Sequence, residues 1–363
     1  MEGKNSAYTK QYNRRRVLSL LRQSPMSRAE LARQMGLTRA AISLITEELM
    51  DEGLLRESKS VCRTPGPGRF PTLLKLRGNA MYAVGVSLER DVCYVGIEDL
   101  CGKVLEQRQI SAAEPELLIR TVQQMLEESG LPGSKLLGIG ISSPGPVDVE
   151  KGMILNPPGF DRWAMYPVCR ELTKATGLPA WLENDANAAA IYNRRNSEFA
   201  EKDQFLLLFV GNGVGSGAVS QGRLLRSCEL GHVSIDHRGI PCSCGNRGCL
   251  EQYASLPRLA QAYGCESIRE LMESDHRQEA LEAEADYLAA AIVNFSNLVP
   301  IEAVLLDGQL QPYSKELLPL LEQRIRGRSI SGRQIRLMPA ISDEYTPIRS
   351  ACGIVFSRWL DAE

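Results

Sequence analysis

The spacing of apolar residues divides the chain into a helical opening and a long body in which strands and helices alternate. From about Thr9 to Gln23 the apolar residues Tyr12, Val17, Leu20 and Leu21 fall at helical intervals, with Arg14, Arg15 and Arg16 read as the exposed face. Ser24 and Pro25 break this helix, because proline lacks an amide hydrogen and clashes with the preceding turn. Ser27, with Glu30 three residues on, forms a capping box for a second helix that carries Leu31 inward and ends at Gly36. Thr38 caps a third, over 39–50, with Ile42, Ile45 and Leu49 on one side. Two helices around a glycine turn, the second opening on Thr38, Arg39 and Ser43, follow the order of a helix-turn-helix.

Residues 55–76 then predict a two-stranded wing whose tip, 63–71, is rich in proline and glycine and bracketed by Arg63 and Arg69. Two readings compete for the tip. A Gly-Arg segment can lie in the narrow, negative minor groove of A·T-rich DNA, or the stretch is a linker with incidental charge.

From Met81 the body predicts strands at 82–88, 91–97 and 102–105 as a meander, a helix at 114–129, a buried strand at 136–142 and a helix around 167–176. A strand at 180–182 ends on Glu183, Asn184 and Asp185, where another helix starts. That is the usual ligand position in α/β sheets. A strand at 205–210 runs into glycines spaced along 211–217, a weak signal for close approach of a phosphate or another strand. Helices near 256–263, 266–273 and 278–298, a strand at 303–306 and helices at 312–326 and 347–360 complete the pattern.

Charge separates the two parts. Residues 1–77 hold fifteen Lys/Arg against seven Asp/Glu, whereas the remainder holds 27 against 37, within a net charge of −2. A basic head on an acidic body implies that only the head meets a polyanion. No run approaches the roughly twenty apolar residues of a membrane span, and the N-terminus has no apolar signal core, so a cytoplasmic, thiol-reducing setting is expected.

Three of the ten cysteines then carry weight: Cys242, Cys244 and Cys249 lie within eight residues, ten residues after His232. A Cys₃His set has the chemistry of a closed structural zinc site, and Gly245 and Gly248 supply the turns that fold a short loop onto a tetrahedral ion. Buried or disulfide-bonded cysteines are the competing reading; a Cys-X-Cys pair is too cramped to bridge itself easily. Glu229 and Glu251 flank the loop, and a metal-bound histidine keeps a second ring nitrogen for hydrogen bonding. Carboxylates beside an oriented imidazole suit a polyhydroxylated ligand such as a sugar.

Together, the runs 140–148 (GISSPGPVD), 183–187 (ENDAN), 229–232 (ELGH) and 242–251 (CSCGNRGCLE) resemble the ROK family of repressors and sugar kinases, over nearly the whole chain, with the head matching its repressor branch. The resemblance implies an α/β, actin-like (ribonuclease H-like), two-lobed sugar-kinase-type fold behind a winged helix-turn-helix. The domains expected are 1–77, with the Gly/Pro/Arg wing-linker, and 78–363. Lobe one takes about 78–185 plus the C-terminal helix at about 347–363; lobe two takes about 186–346. The resemblance further implies that Asn184, Asp185, Glu229, His232 and Glu251 face the sugar, the aspartate matching Asp185 being the general base of family kinases. Those kinases carry Asp-X-Gly-Gly-Thr after the first strand. Here Ser87-Leu-Glu-Arg-Asp91 stands there, and Glu89 and Asp91 would repel a triphosphate. A shortened lead-in to Glu229 brings Arg223, Arg226 and Cys228 near the expected cavity, which would favour an acidic sugar or mean that sugar binding has changed.

The expectation is therefore a sugar-responsive DNA-binding regulator, a repressor without kinase activity. It would hold structural Zn²⁺ on His232, Cys242, Cys244 and Cys249, and would contact a palindromic operator through Thr38, Arg39, Ser43, Arg63 and Arg69, as a dimer. The alternatives are an ATP-dependent sugar kinase with an appended head, and a DNA-binding protein that needs no ligand.

Overall fold

The structure, a computed structural model, describes residues 2–59, 72–111, 114–157, 160–196, 204–226, 228–328 and 334–361. The chain forms two compact units, Met1–Asp185 with Glu344–Glu363, and Ala186–Asp343.

The first unit opens with α1 (Glu2–Gln23), longer than the apolar spacing implies, then β1 (Met26–Ser27), α2 (Arg28–Met35) and α3 (Arg39–Asp51). The Ser27 side chain accepts from the Glu30 amide while Glu30 reaches back to the Ser27 amide, and Gly36 stops α2 at a φ of 65°. The Thr38 hydroxyl accepts from the Ala41 amide at 3.2 Å to start α3. β2 (Leu55–Lys59) and β3 (Thr72–Leu76) pair antiparallel as the wing, with β1 on the other side of β3.

The arginine cluster of α1 is not a free basic face. Arg14 bonds Glu48 at 3.0 Å and also Glu52, while Lys10 bonds Glu48 at 2.7 Å, so these cations brace α1 against α3. Arg15 is half-buried, and only Arg16 of the three is exposed. Of the apolar positions read from the sequence, Val17 and Leu21 are buried, together with Leu18, while Tyr12 is exposed; the spacing is also silent on which cations meet carboxylates from another helix.

Five strands follow in the same unit: β4 (Tyr82–Leu88), β5 (Val92–Asp99) and β6 (Val104–Ser111) as an antiparallel meander, then β7 (Leu136–Ser143) and, after the small β8 (Val147–Asp148) and β9 (Met153–Ile154), β10 (Ala180–Asn184). Their order is β10-β7-β4-β5-β6, with β7 parallel to both β4 and β10. Between them run α4 (Pro115–Ser129) and α5 (Val168–Thr176).

The second unit takes α6 (Asp185–Asn196) from Ala186 onward, then β11 (Phe205–Val210), β12 (Val214–Ser220) and β13 (Arg223–Leu225). The short α7 (Glu251–Ala254), α8 (Leu256–Ala262) and α9 (Ile268–Glu273) precede the long α10 (Arg277–Leu298), and β14 (Ala303–Gly308), α11 (Ser314–Ile325) and β15 (Arg336–Pro339) close it. The order β13-β12-β11-β14-β15 repeats that of the first sheet: an antiparallel meander extended by two parallel strands. The glycines spaced along 211–217, a weak signal for close approach of a phosphate or another strand, approach a helix here at Gly215 and Gly217. Most of that run is strand β12, and its glycines serve packing: a Cβ on Gly217 would stand 2.5 Å from the Ala186 carbonyl and one on Gly215 3.3 Å from the Ala186 methyl. They let α6 lie flat on the sheet.

The closing helix, α12 (Thr346–Asp361), returns to the first unit and packs on β4, β5 and β7. Gly85, Gly96 and Gly140 are in register across these strands and form its floor. A Cβ on Gly85 would stand 2.6 Å from the Ile348 carbonyl, and one on Gly140 would collide with the Ala351 carbonyl. The helix α12 also joins the head. Val17, Leu18 and Leu21 of α1, Leu31, Ile42, Leu49, Leu55 and Leu74 share one buried core with Leu100, Ile348, Cys352, Val355, Phe356 and Leu360. Arg22, from the last turn of α1, bonds the Leu100 carbonyl at 3.2 Å, ion-pairs with Glu98 of β5 and stacks 4.2 Å from the centre of the Phe356 ring. The head is thus bonded and packed onto the body of its own unit.

Candidate functional site

The loop after β13 gathers four soft donors. His232 ends a short 3₁₀ turn, Leu230–His232, and Gly231 is required there because a Cβ would collide with the Val214 carbonyl. The knuckle that follows is closed by the Cys242 amide on the Asn246 carbonyl at 2.9 Å and the Gly245 amide on the Cys242 carbonyl at 3.0 Å. Gly245 and Gly248 both have positive φ, 91° and 65°, and a Cβ on Gly248 would strike the Asp236 backbone. The donor atoms of His232, Cys242, Cys244 and Cys249 all lie within 4.8 Å of one another. The Cys242 sulfur is 3.7 Å from His232 Nδ1, and the Cys244 and Cys249 sulfurs are 3.6 Å apart. Metal bonds of about 2.0–2.3 Å in a tetrahedron give edges of about 3.3–3.8 Å; these two separations fall in that range, and the four donors together could hold a metal ion.

Protonation follows from that crowding. Burial pushes Cys242 up, but hydrogen bonds from the Cys244 amide and thiol, then His232 and Cys249, outweigh it, and its thiol falls to about 7. Cys249 moves the other way, to about 12, through burial and its two neighbouring sulfurs. Metal ligands bind deprotonated, and the lowered Cys242 thiol moves in that direction. Gln252, which the motif spacing did not single out, donates to the Cys242 sulfur at 3.5 Å. Its place one residue after Glu251, on the first turn of α7, was the available signal.

Glu251 is half-buried, and its Oε2 accepts the Val214 amide at 3.1 Å, beside Gly213, where a Cβ would stand 2.7 Å away. It therefore ties the metal loop to the start of β12. Glu229 is exposed, and its carbonyl accepts the His232 amide at 3.0 Å. The second ring nitrogen of His232, Nε2, is not among the atoms facing Cys242.

In the first unit, Asn184 ends β10 and Asp185 opens α6, both half-buried. Asn184 pairs in register with Ser143 of β7, and Ser87 of β4 with Ser142, so these residues stand at the carboxyl ends of adjacent parallel strands, the two pairs on opposite faces of the sheet. The turn after β4 is a tight hairpin, closed by the Glu89 amide on the Val92 carbonyl at 2.8 Å, with Glu89 and Arg90 exposed. In the head, Thr38 and Arg39 are exposed and Ser43 is half-buried on α3. Arg63 and Arg69 lie outside the described residues. Among the described residues no helix is long and apolar enough to cross a membrane.

The model of the ROK family matches residues 83–345. The chain belongs to the ROK family. The xylose repressor of Bacillus subtilis (strain 168) is 26% identical over 384 residues, covering 99% of each chain. A ROK family transcriptional regulator, described as a homologue of the E. coli MLC protein, aligns with a TM-score of 0.77 at 26% identity over 97% of both chains. The glucokinase of Thermotoga maritima is 34% identical over 185 residues, 48% of this chain and 58% of the enzyme. ROK proteins thus include regulators similar along the full length and kinases similar to part of the body. The sugar-kinase-type, actin-like two-lobed fold read from the motifs is the fold found.

Proposed function

We propose that this ROK protein is a DNA-binding transcriptional regulator, a repressor of carbohydrate-metabolism genes, switched by a sugar-type effector. The observation that carries the reading is the capped helix-turn-helix with its wing, packed in one core with the body through α12. Full-length similarity to regulators supports it. The effector contacts Asn184, Asp185, Glu229, His232 and Glu251, and Zn²⁺ sits on His232, Cys242, Cys244 and Cys249. The chain acts in the cytoplasm as a homodimer whose paired heads, through Thr38, Arg39, Ser43, Arg63 and Arg69, match half-sites about one DNA turn apart or a multiple of it. It has no kinase activity. The acidic hairpin after β4, with Glu89 exposed, supports that part.

Thermal unfolding of the zinc-loaded protein across mono-, amino- and phospho-sugars, with and without ATP, tests the reading, since a ligand of the native state raises the melting temperature. One sugar class is expected to shift it, unaffected by ATP, and Glu229→Ala is expected to abolish the shift. Exposed Glu229 is a cleaner probe than Glu251, whose loss also frees the Val214 amide. ATP-dependent phosphorylation of that sugar would replace the reading with the kinase. No response to any sugar, with operator binding intact, would replace it with a ligand-independent DNA-binding protein. Zinc is expected at one ion per chain, and stripping it with a chelator is expected to lower the melting temperature.

A further inference from the structure

The helix α3 has two faces of different character. Ile42, Ile45, Thr46 and Leu49 are buried in the head core, leaving Arg39, Ala40, Ser43, Leu44 and Glu47 as one stripe on the opposite side, beginning at the helix N-terminus. The N-terminal residues of the second helix in a helix-turn-helix are those that meet base edges in the major groove. Two members of the stripe are out of place on a surface that only touches phosphate. Leu44 is 60% exposed. Glu47 is exposed, while the nearby cations Lys10 and Arg14 are held by Glu48 and Glu52. A carboxylate this close to a polyanion is repelled unless a donor meets it, and a bare leucine gains nothing from phosphate.

Both fit base edges. In the major groove thymine alone offers a 5-methyl group, and cytosine offers the N4 amino donor. We propose that Leu44, with Ala40 beside it, packs on a thymine methyl, and that Glu47 accepts a hydrogen bond from cytosine N4. This deepens the regulator reading and rests on it. The three-residue step from Leu44 to Glu47 advances about 4.5 Å along the helix axis, against a base step of about 3.4 Å, so the two bases lie within about two steps of each other. The stripe then distinguishes T and C at two positions that arginine, a reader of guanine, does not specify.

The test begins with full-length protein and a pool of random-sequence duplexes, selected for binding and sequenced. Each thymine of the best duplex is then replaced by uracil, which removes the methyl and keeps the hydrogen-bonding edge. One thymine per half-site is expected to lose about fourfold in affinity, the size of one buried methyl. Leu44→Ala is expected to lose affinity for the thymine duplex and become indifferent to the uracil replacement. Its exposure keeps folding out of the result, and an unchanged melting temperature checks this. Glu47→Ala is expected to tolerate any base at one formerly C·G position while binding random duplex more tightly. Uracil replacement without loss at every thymine, or an equal loss by Leu44→Ala on both duplexes, overturns the leucine contact while DNA binding stands. An unchanged preference at every position in Glu47→Ala overturns the glutamate contact. Enrichment of no duplex by the wild-type protein overturns the regulator reading itself, and the inference with it.

Discussion

The two sheets share one plan and differ in what answers their buried charge. Each is a three-stranded meander continued by two parallel strands, and each carries a helix laid on glycines, α12 on Gly85, Gly96 and Gly140 and α6 on Gly215 and Gly217. Each such helix follows the last strand of the other sheet, α6 after β10 and α12 after β15, so the chain exchanges helices between its units. Among the described residues, the two most deeply buried glutamates fall one in each unit. Glu98, 1% exposed, is met by Arg22 from the head; Glu284 of α10 is fully buried with neither oxygen hydrogen-bonded. A buried carboxylate answered from elsewhere in the chain fixes that element in place. An unanswered one is held protonated and costs stability.

Removing the answer gives the largest effect. Arg22→Ala at pH 8 is expected to cost about 3–5 kcal/mol, because it strands a buried carboxylate and strips the stack on Phe356. Urea unfolding followed by tryptophan fluorescence reads it directly, since Trp181 and Trp359 pack against the same core. Replacing both partners, Arg22→Met with Glu98→Leu, is expected to recover most of the loss; a cost below about 1 kcal/mol for Arg22→Ala would show that the pair does not hold the head. The pH dependence has a definite sign. Burial pushes Glu98 up to about 7 against the pull of Arg22, and a raised folded value means stability that is full below the unfolded value of about 4.3 and is lost as pH rises through about 7. Arg22→Met removes the pull, so that loss moves to higher pH.

Next in size is the floor of α12. Gly140→Ala drives a methyl into the Ala351 carbonyl, backbone against backbone, and is expected to cost about 3 kcal/mol, the upper end of the overpacking range. Because α12 also backs the head, operator affinity is expected to fall with it. Retained affinity in a destabilised variant would separate the helix seat from the head. Smaller, and of opposite sign, is Glu284→Leu. Burial holds Glu284 well above its ordinary value, so its ionisation opposes folding increasingly as pH rises, and the substitution is expected to gain about 1–2 kcal/mol at pH 8 and flatten the decline above pH 5. A loss at pH 8 would mean that the carboxylate does have a partner in solution.

How far the sequence carried this comparison depends on the range of the interaction. The caps at Ser27 and Thr38, the metal knuckle and the strand ends at Asn184 and Asp185 are local, set by residues within a few positions of each other, and were legible. The pairing of Arg22 with Glu98 spans 76 residues, and the seat of α12 joins Gly85 to Ile348; no periodicity announces either. Glu98 did carry a signal, an acid in the apolar run from Val92 to Leu100, but it does not say which cation meets it. The glycines of 211–217 stayed ambiguous for a related reason. Alternate glycines serve phosphate binding and helix packing equally well, and only α6 lying on Gly215 and Gly217 decides for the packing role of those two.

The smallest expected effect tests that decision. A Cβ on Gly215 meets only the Ala186 methyl at 3.3 Å, a contact that a few tenths of an ångström relieve, whereas one on Gly217 meets the Ala186 carbonyl at 2.5 Å and the Ala190 methyl at 2.7 Å. Gly215→Ala is expected to shift stability by less than about 1 kcal/mol in either direction, because a tight but yielding contact is set against reduced freedom of the unfolded chain. Gly217→Ala is expected to behave like Gly140→Ala, in keeping with the shared plan of the two sheets. The pair is best measured together by urea midpoints. If Gly215→Ala instead destabilises as much as Gly217→Ala, α6 lies closer to β12 than α12 lies to its own floor, and the likeness of the two seats ends at their topology.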